Sequence, residues 1–269
     1  MNPRFRPILA FVAITFLLSW SWEGWLLAHG GASAYGILGL VALMWVPGLV
    51  ALGFRLAKGG DLGWKRPPAR DLLLAFLVPF TFALATGIGC HMLEIRLFAL
   101  PEAGRVAPLL VSAFIMFSIG LLGALGEELG WRGFLAARMR EAGVKRLNLW
   151  LGLVWAAWHL PLVAFGGYYA SLPAWQVVPL YLGSILGLNL FLTSLFLRSG
   201  SVVVAWAVHT FHNFFFQFFF PALVFTLPGR HQGLFEAVGG DSGLLPVVLY
   251  GLLAVFLLWR EESRGVTAR

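Results

Sequence analysis

Residues 107–132 read APLLVSAFIMFSIGLLGALGEELGWR, an apolar run that ends in Glu127, Glu128 and Arg132 with no Pro or turn signal before them. Twenty residues of that hydropathy are enough to cross the hydrocarbon core of a bilayer as a helix. The acids continue the same run, so the stretch predicts a membrane helix that carries carboxylates at depth. A charge there is expensive and normally faces a partner or a water-filled cavity.

The rest of the chain agrees with a membrane setting. Of its 269 residues 59% are hydrophobic and only 12% charged, and the mean hydropathy is +0.83. Too little polar surface remains to cover such a chain in water, which excludes a soluble globular, a disordered and a collagen-like protein. One cysteine excludes a disulfide framework and a cysteine-based zinc site. Eight apolar runs, near 8–28, 35–54, 71–90, 107–127, 147–165, 176–197, 202–225 and 243–259, are long and continuous and do not alternate with period two. That predicts an all-α polytopic membrane protein of about eight transmembrane helices, not a barrel. The first run is too long, and at Trp20, Trp22 and Trp25 too bulky, for a cleaved signal peptide. Trp64, Tyr168, Tyr169 and Trp175 fit an interfacial belt. Short loops and the lack of a repeat point to a single domain over 1–269.

The net charge of +7 would suggest nucleic acid in a soluble protein, but here the basic residues flank apolar runs. With eight spans, all Lys and Arg fall in one set of loops except Arg96, Arg105 and Arg230. The positive-inside rule then predicts both termini in the cytoplasm and no nucleic-acid partner. The expected setting is a bacterial-type plasma membrane.

Polar residues inside the runs carry the functional reading. Glu23 lies near the outer end of the first run, where partial hydration is expected. His159, His209 and His212 sit within apolar runs, whereas His29, His91 and His231 fall in outer loops. Glu127 is 11 residues from Arg138, His159 is 13 from Arg146, and His209 is 11 from Arg198. At about 1.5 Å per residue these are depths of roughly 16–20 Å, one level on three helices, reachable from the cytoplasmic side. Glu128 and Arg132, four apart, can meet as an ion pair, while Glu127 is rotated away and left for chemistry. His209 and Asn213 share a face by the same spacing. Gly120, Gly123, Gly126, Gly130 and Gly133 form a small-residue stripe suited to close helix approach. Gly183 and Gly187 fit an intrachain or an interchain contact equally.

At these residues the chain resembles the CPBP family, the CAAX proteases and bacteriocin-processing membrane proteins, also called the Abi family. Its EExxxR motif stands intact as Glu127, Glu128 and Arg132. Its second motif, usually FxxxH, is Trp155-Ala156-Ala157-Trp158-His159, with Trp for Phe as a change of aromatic that preserves packing. Its third, HxxxN, is His209-Thr210-Phe211-His212-Asn213. Order and spacing agree over about residues 40–220, where Met44-Trp45-Val46-Pro47 also resembles a proline-containing segment of bacterial members.

The resemblance implies an intramembrane endopeptidase acting on peptides or proteins, lipidated in CAAX-type processing, that meet it at the bilayer. It implies Glu127 as general base with His159 as partner, His209 and Asn213 as an oxyanion hole, and Glu128 with Arg132 orienting the motif helix. The family is commonly labelled metalloprotease. Glu127, His159 and His209 could hold a divalent metal such as zinc with an open position for water. No HExxH is present, and the reading leans to no cofactor. No GxSxG or GxGD motif supports another intramembrane protease class, and Cys90 reads as a core thiol. Three other readings stay open: a non-enzymatic membrane immunity or partner protein, a proton-coupled transporter, and, remotely, a haem protein with two axial histidines.

Overall fold

The computed structural model describes residues 3–30, 32–165, 172–225, 227–228 and 234–263. Tyr168, Tyr169, Arg230 and His231 lie outside the described residues. The chain forms helices α1 (Arg6–Ala28), α2 (Gly36–Lys58), α3 (Ala69–Met92) and α4 (Ala103–Glu128), followed by α5 (Leu147–Phe165), α6 (Ala174–Ser199), α7 (Val202–Asn213), the short α8 (Leu234–Val238) and α9 (Leu244–Ser263). A two-residue antiparallel pairing of Arg96–Leu97 with Leu227–Pro228 ties two loops together.

Among the described residues seven helices are long and apolar enough to cross a membrane. The eighth expected span corresponds to Leu244–Arg260, a shorter apolar helix. Leu17, Leu38, Leu56, Phe114 and Leu122 project outward from these helices. In water they would form a large apolar liability; in lipid they are the solvated face.

Two helices run on past their α-helical ends as π-helix. α4 continues through Leu129–Ala136 to a last turn at Ala137–Glu141, and α7 continues through Phe214–Val224. The first π segment begins inside the EExxxR motif, directly after Glu128, and contains Arg132; the second begins directly after Asn213. A π-turn adds a residue per turn and redirects the side chains around it, which is why such turns collect at functional sites.

α4 packs against α2 and α7, α5 against α6 and α1, α3 against α7, and α9 against α6. Missing side chains make the α2–α4 seam tight. A Cβ on Gly126 would stand 2.8 Å from the Met44 carbonyl and from the Trp45 Cα, and one on Gly130 would stand 2.5 Å from Pro47 Cβ. Gly123 and Gly133 meet Met44 and Leu62 as closely, whereas Gly120 has open space around it and does not belong to the seam. Gly183 and Gly187 form an intrachain contact, against Val247 and Tyr250 of α9.

Two acids differ from the expectation for run ends. Glu23 does not sit at a solvent-facing end: it is 0% exposed, and both its carboxyl oxygens are buried without a hydrogen-bond partner among the described residues. The reason is lateral. Its face of α1, with Thr15 and Ser19 one and two turns before it, is turned into the bundle. Asp71, at the start of α3, is buried and paired with Arg198 at the end of α6. Glu128, expected at depth, is fully enclosed.

Candidate active site

Glu127 and Glu128 close the α-helical part of α4 and are 1% and 0% exposed. Being neighbours on a helix, they point about 100° apart, and each finds a different partner. Glu128 Oε1 accepts from Arg132 Nη1 at 2.9 Å and from His209 Nδ1 at 2.9 Å. Arg132 Nη2 donates to Asn189 Oδ1 at 2.9 Å, and Asn189 in turn donates to the Asn148 carbonyl at 2.7 Å. This chain of contacts joins α4, α5, α6 and α7. Its charges are compensated at close range, as burial requires.

Glu127 stands outside that network. Its Oε2 accepts from the indole Nε1 of Trp155 at 2.7 Å. Trp155 is 1% exposed and lies one helical turn before His159, whose Nδ1 faces the Trp155 carbonyl at 3.4 Å. The Arg132 guanidinium sits over the same indole at 4.4 Å, and the His209 ring meets it edge-on at 5.3 Å. One tryptophan therefore touches Glu127, Arg132, His159 and His209. His159 is walled further by Trp158, with ring centres 4.4 Å apart, and by Tyr181 at 5.9 Å.

The geometry thus brings Glu127, Glu128, Arg132, His159 and His209 around Trp155, and places His209 within coulombic range of both Glu127 and His159. Asn213 is half-buried one turn below His209 at the start of the π segment. His212 turns away from the group and pairs with the Tyr250 hydroxyl at 2.9 Å.

Two residues do more than their sequence context suggests. Trp155 supplies a polar donor as well as aromatic packing. Asn189 completes the Glu128–Arg132 network; its only signal is a lone amide in the apolar run of α6, where an unpaired amide is costly. Cys90 is fully buried and packs against Gly239.

Among the described residues no three His, Cys, Asp or Glu side chains stand close enough to share one ion. Glu127 is engaged by an indole and His209 Nδ1 by Glu128. The set Glu127, His159 and His209, as arranged, does not form a three-ligand cradle.

Residues 109–215, which hold Glu127, Glu128, Arg132, Trp155, His159, Asn189, His209 and Asn213, match the family described as type II CAAX prenyl endopeptidase Rce1-like. The match supports a CPBP-type intramembrane protease. The chain is also 25% identical over 235 residues to a protein of Methanococcus maripaludis named CAAX prenyl protease 2, an alignment covering 79% of this chain and 83% of that one. For a CPBP protease, the buried carboxylate–indole pair and the histidines around it form the candidate hydrolytic centre.

Proposed function

We propose that this protease hydrolyses peptide bonds near the C-terminus of lipidated peptides, CAAX-type substrates, with Glu127 and His159 activating water. The observation that carries this reading is the separation of the two acids. Glu128 is engaged through Oε1 by Arg132 and His209, while Glu127 is held only by the neutral indole donor of Trp155 and keeps oxygen lone pairs for a water. If His159 donates from Nδ1 to the Trp155 carbonyl, its Nε2 is the acceptor that holds and orients that water.

In the first step Glu127 takes a proton from water as the water oxygen bonds to the scissile carbonyl carbon. The carbonyl oxygen becomes an oxyanion facing His209 and Asn213. His209 has Nδ1 committed to Glu128, so Nε2 is the nitrogen left to face the oxyanion. The C–N bond then breaks, and the proton on Glu127 goes to the leaving amine. Glu128 and Arg132 hold the α4 end so that these groups keep their relative positions. No step is routed through a metal.

The lipid-attached substrate class is supported by the match to the prenyl endopeptidase family and to the archaeal protein's name. Approach from the cytoplasm is supported by the distribution of Lys and Arg, which also favours both termini on that side.

The test is cleavage in liposomes of a farnesylated C-terminal peptide and its unmodified twin. The expected result is cleavage of the farnesylated peptide, abolished in His159→Ala. Cleavage of neither peptide, or undiminished cleavage by His159→Ala, contradicts the reading.

A further inference from the structure

His212 is a buried histidine that the hydrolytic steps do not use, and it lies one turn from a histidine that they do use. On α7, His209 Nδ1 meets Glu128 of α4 at 2.9 Å, and three residues later His212 Nδ1 meets the Tyr250 hydroxyl of α9 at 2.9 Å. Asn213 follows directly on that second tie, and the π segment begins immediately after it, at Phe214. At the next turn Gln217 Nε2 donates at 2.9 Å to Asp241 Oδ2, in the loop that leads into α9. Asn213 is therefore flanked, at 212 and at 217, by side chains tied to α9 or to its lead-in. Regular backbone bonding sets which way a side chain leaves an α-helix, but at an α-to-π junction that register changes. Side-chain ties on either side then decide where the Asn213 amide points.

The His212–Tyr250 tie is built where a polar contact is expensive. α9 packs on α6 and α3 and turns Leu252, Val255 and Phe256 outward, yet Tyr250 is 0% exposed. Gly187 of α6 makes room for it, since a Cβ there would stand 2.8 Å from the Tyr250 Cβ. The surround is aromatic: Phe82 meets Tyr250 edge-on at 5.0 Å, and the Phe216 ring lies 4.7 Å from that of His212. Two apolar side chains would pack there without dehydrating a hydroxyl and an imidazole. A satisfied polar contact in such a place specifies one orientation, which packing alone does not. Resting on the oxyanion role proposed above for Asn213, we infer that His212 and Tyr250 are positioning residues that aim the Asn213 amide at the oxyanion.

Steady-state cleavage of the farnesylated peptide by Asn213→Ala, Tyr250→Phe and the double variant tests this, in full chains shown by thermal unfolding to be folded. Removing an oxyanion donor costs about 100-fold or more in kcat, and misdirecting it costs part of that, so Tyr250→Phe should lower kcat about 10-fold with KM unchanged. His212→Phe should lower it as far, and His212→Phe/Tyr250→Phe no further, because both variants remove one contact. In the Asn213→Ala background Tyr250→Phe should cost nothing more. An unchanged kcat in Tyr250→Phe or His212→Phe, or the same tenfold loss with and without Asn213, overturns the positioning role and leaves the hydrolytic reading standing. Asn213→Ala as active as wild type, or a wild type that does not cleave the peptide, contradicts the hydrolytic reading and the positioning role with it.

Discussion

Trp155 donates its indole N–H to Glu127 at 2.7 Å while its own carbonyl faces His159 Nδ1 at 3.4 Å. One residue thus sets the orientation of both groups assigned to activate water. The i, i+4 geometry of α5 makes this possible, because a carbonyl and the side chain one turn later meet on the same helix edge. It also gives the tryptophan a function that phenylalanine, the usual residue of the similar motif, lacks.

Trp155→Phe keeps most of the packing and deletes only the donor. A hydrogen bond to a charged group contributes about 1.5–3 kcal/mol, so kcat should fall about 10- to 100-fold with KM little changed. Steady-state kinetics on the farnesylated peptide reads this, and an unchanged kcat would reduce Trp155 to a packing role.

The Glu128–Arg132–Asn189 chain should behave as one buried unit. Arg132→Gln removes the guanidinium from the buried Glu128 carboxylate, leaving it only His209, and should destabilise the fold by about 3–5 kcal/mol. Asn189→Leu removes only one end of the chain and should cost about 1–3 kcal/mol. Thermal unfolding in detergent measures both, and the double variant should cost less than the two singles together.

The glycines of α4 should separate into two classes. Gly126→Ala and Gly130→Ala force a methyl against the backbone of α2 and should each cost about 1–3 kcal/mol. Gly120→Ala meets nothing within 4 Å and should be neutral or stabilising by up to about 1 kcal/mol, through helix propensity. A uniform response in the same unfolding assay would mean that the α2–α4 seam is looser than described.

Glu23 is a buried carboxyl without a hydrogen-bond partner among the described residues. Replacing an unsatisfied polar group by an apolar one of similar size removes a desolvation cost, so Glu23→Leu should raise stability by about 1–3 kcal/mol. A loss of stability would show that Glu23 has a partner in the membrane, such as a held water.

The spans were legible because hydrocarbon leaves a backbone no choice but internally bonded helix, so twenty apolar residues have one meaning. The common level of Glu127, His159 and His209 was legible for the same reason, since residue count along a helix is depth. What residue count does not give is azimuth. Glu23 read as hydrated because it is near a run end, yet its face of α1 turns inward. Gly120 read as part of the stripe, yet α2 crosses below it. Asn189 escaped because one amide in an apolar run has no motif to announce it. Trp155 was read by its ring, and its N–H acquired meaning only once α4 and α5 were placed side by side. The π segments after Glu128 and Asn213 had no sequence signal, because an extra residue per turn is decided by packing on neighbouring helices.

The central claim is that, of two adjacent buried acids, the one outside the ion-pair network does the chemistry. Single-turnover cleavage of the farnesylated peptide by Glu127→Gln, in protein shown by thermal unfolding to be folded, tests it most directly. The account predicts a rate at least 100-fold below wild type, the lower bound for losing a general base, with peptide binding retained. Cleavage within tenfold of wild type would contradict it.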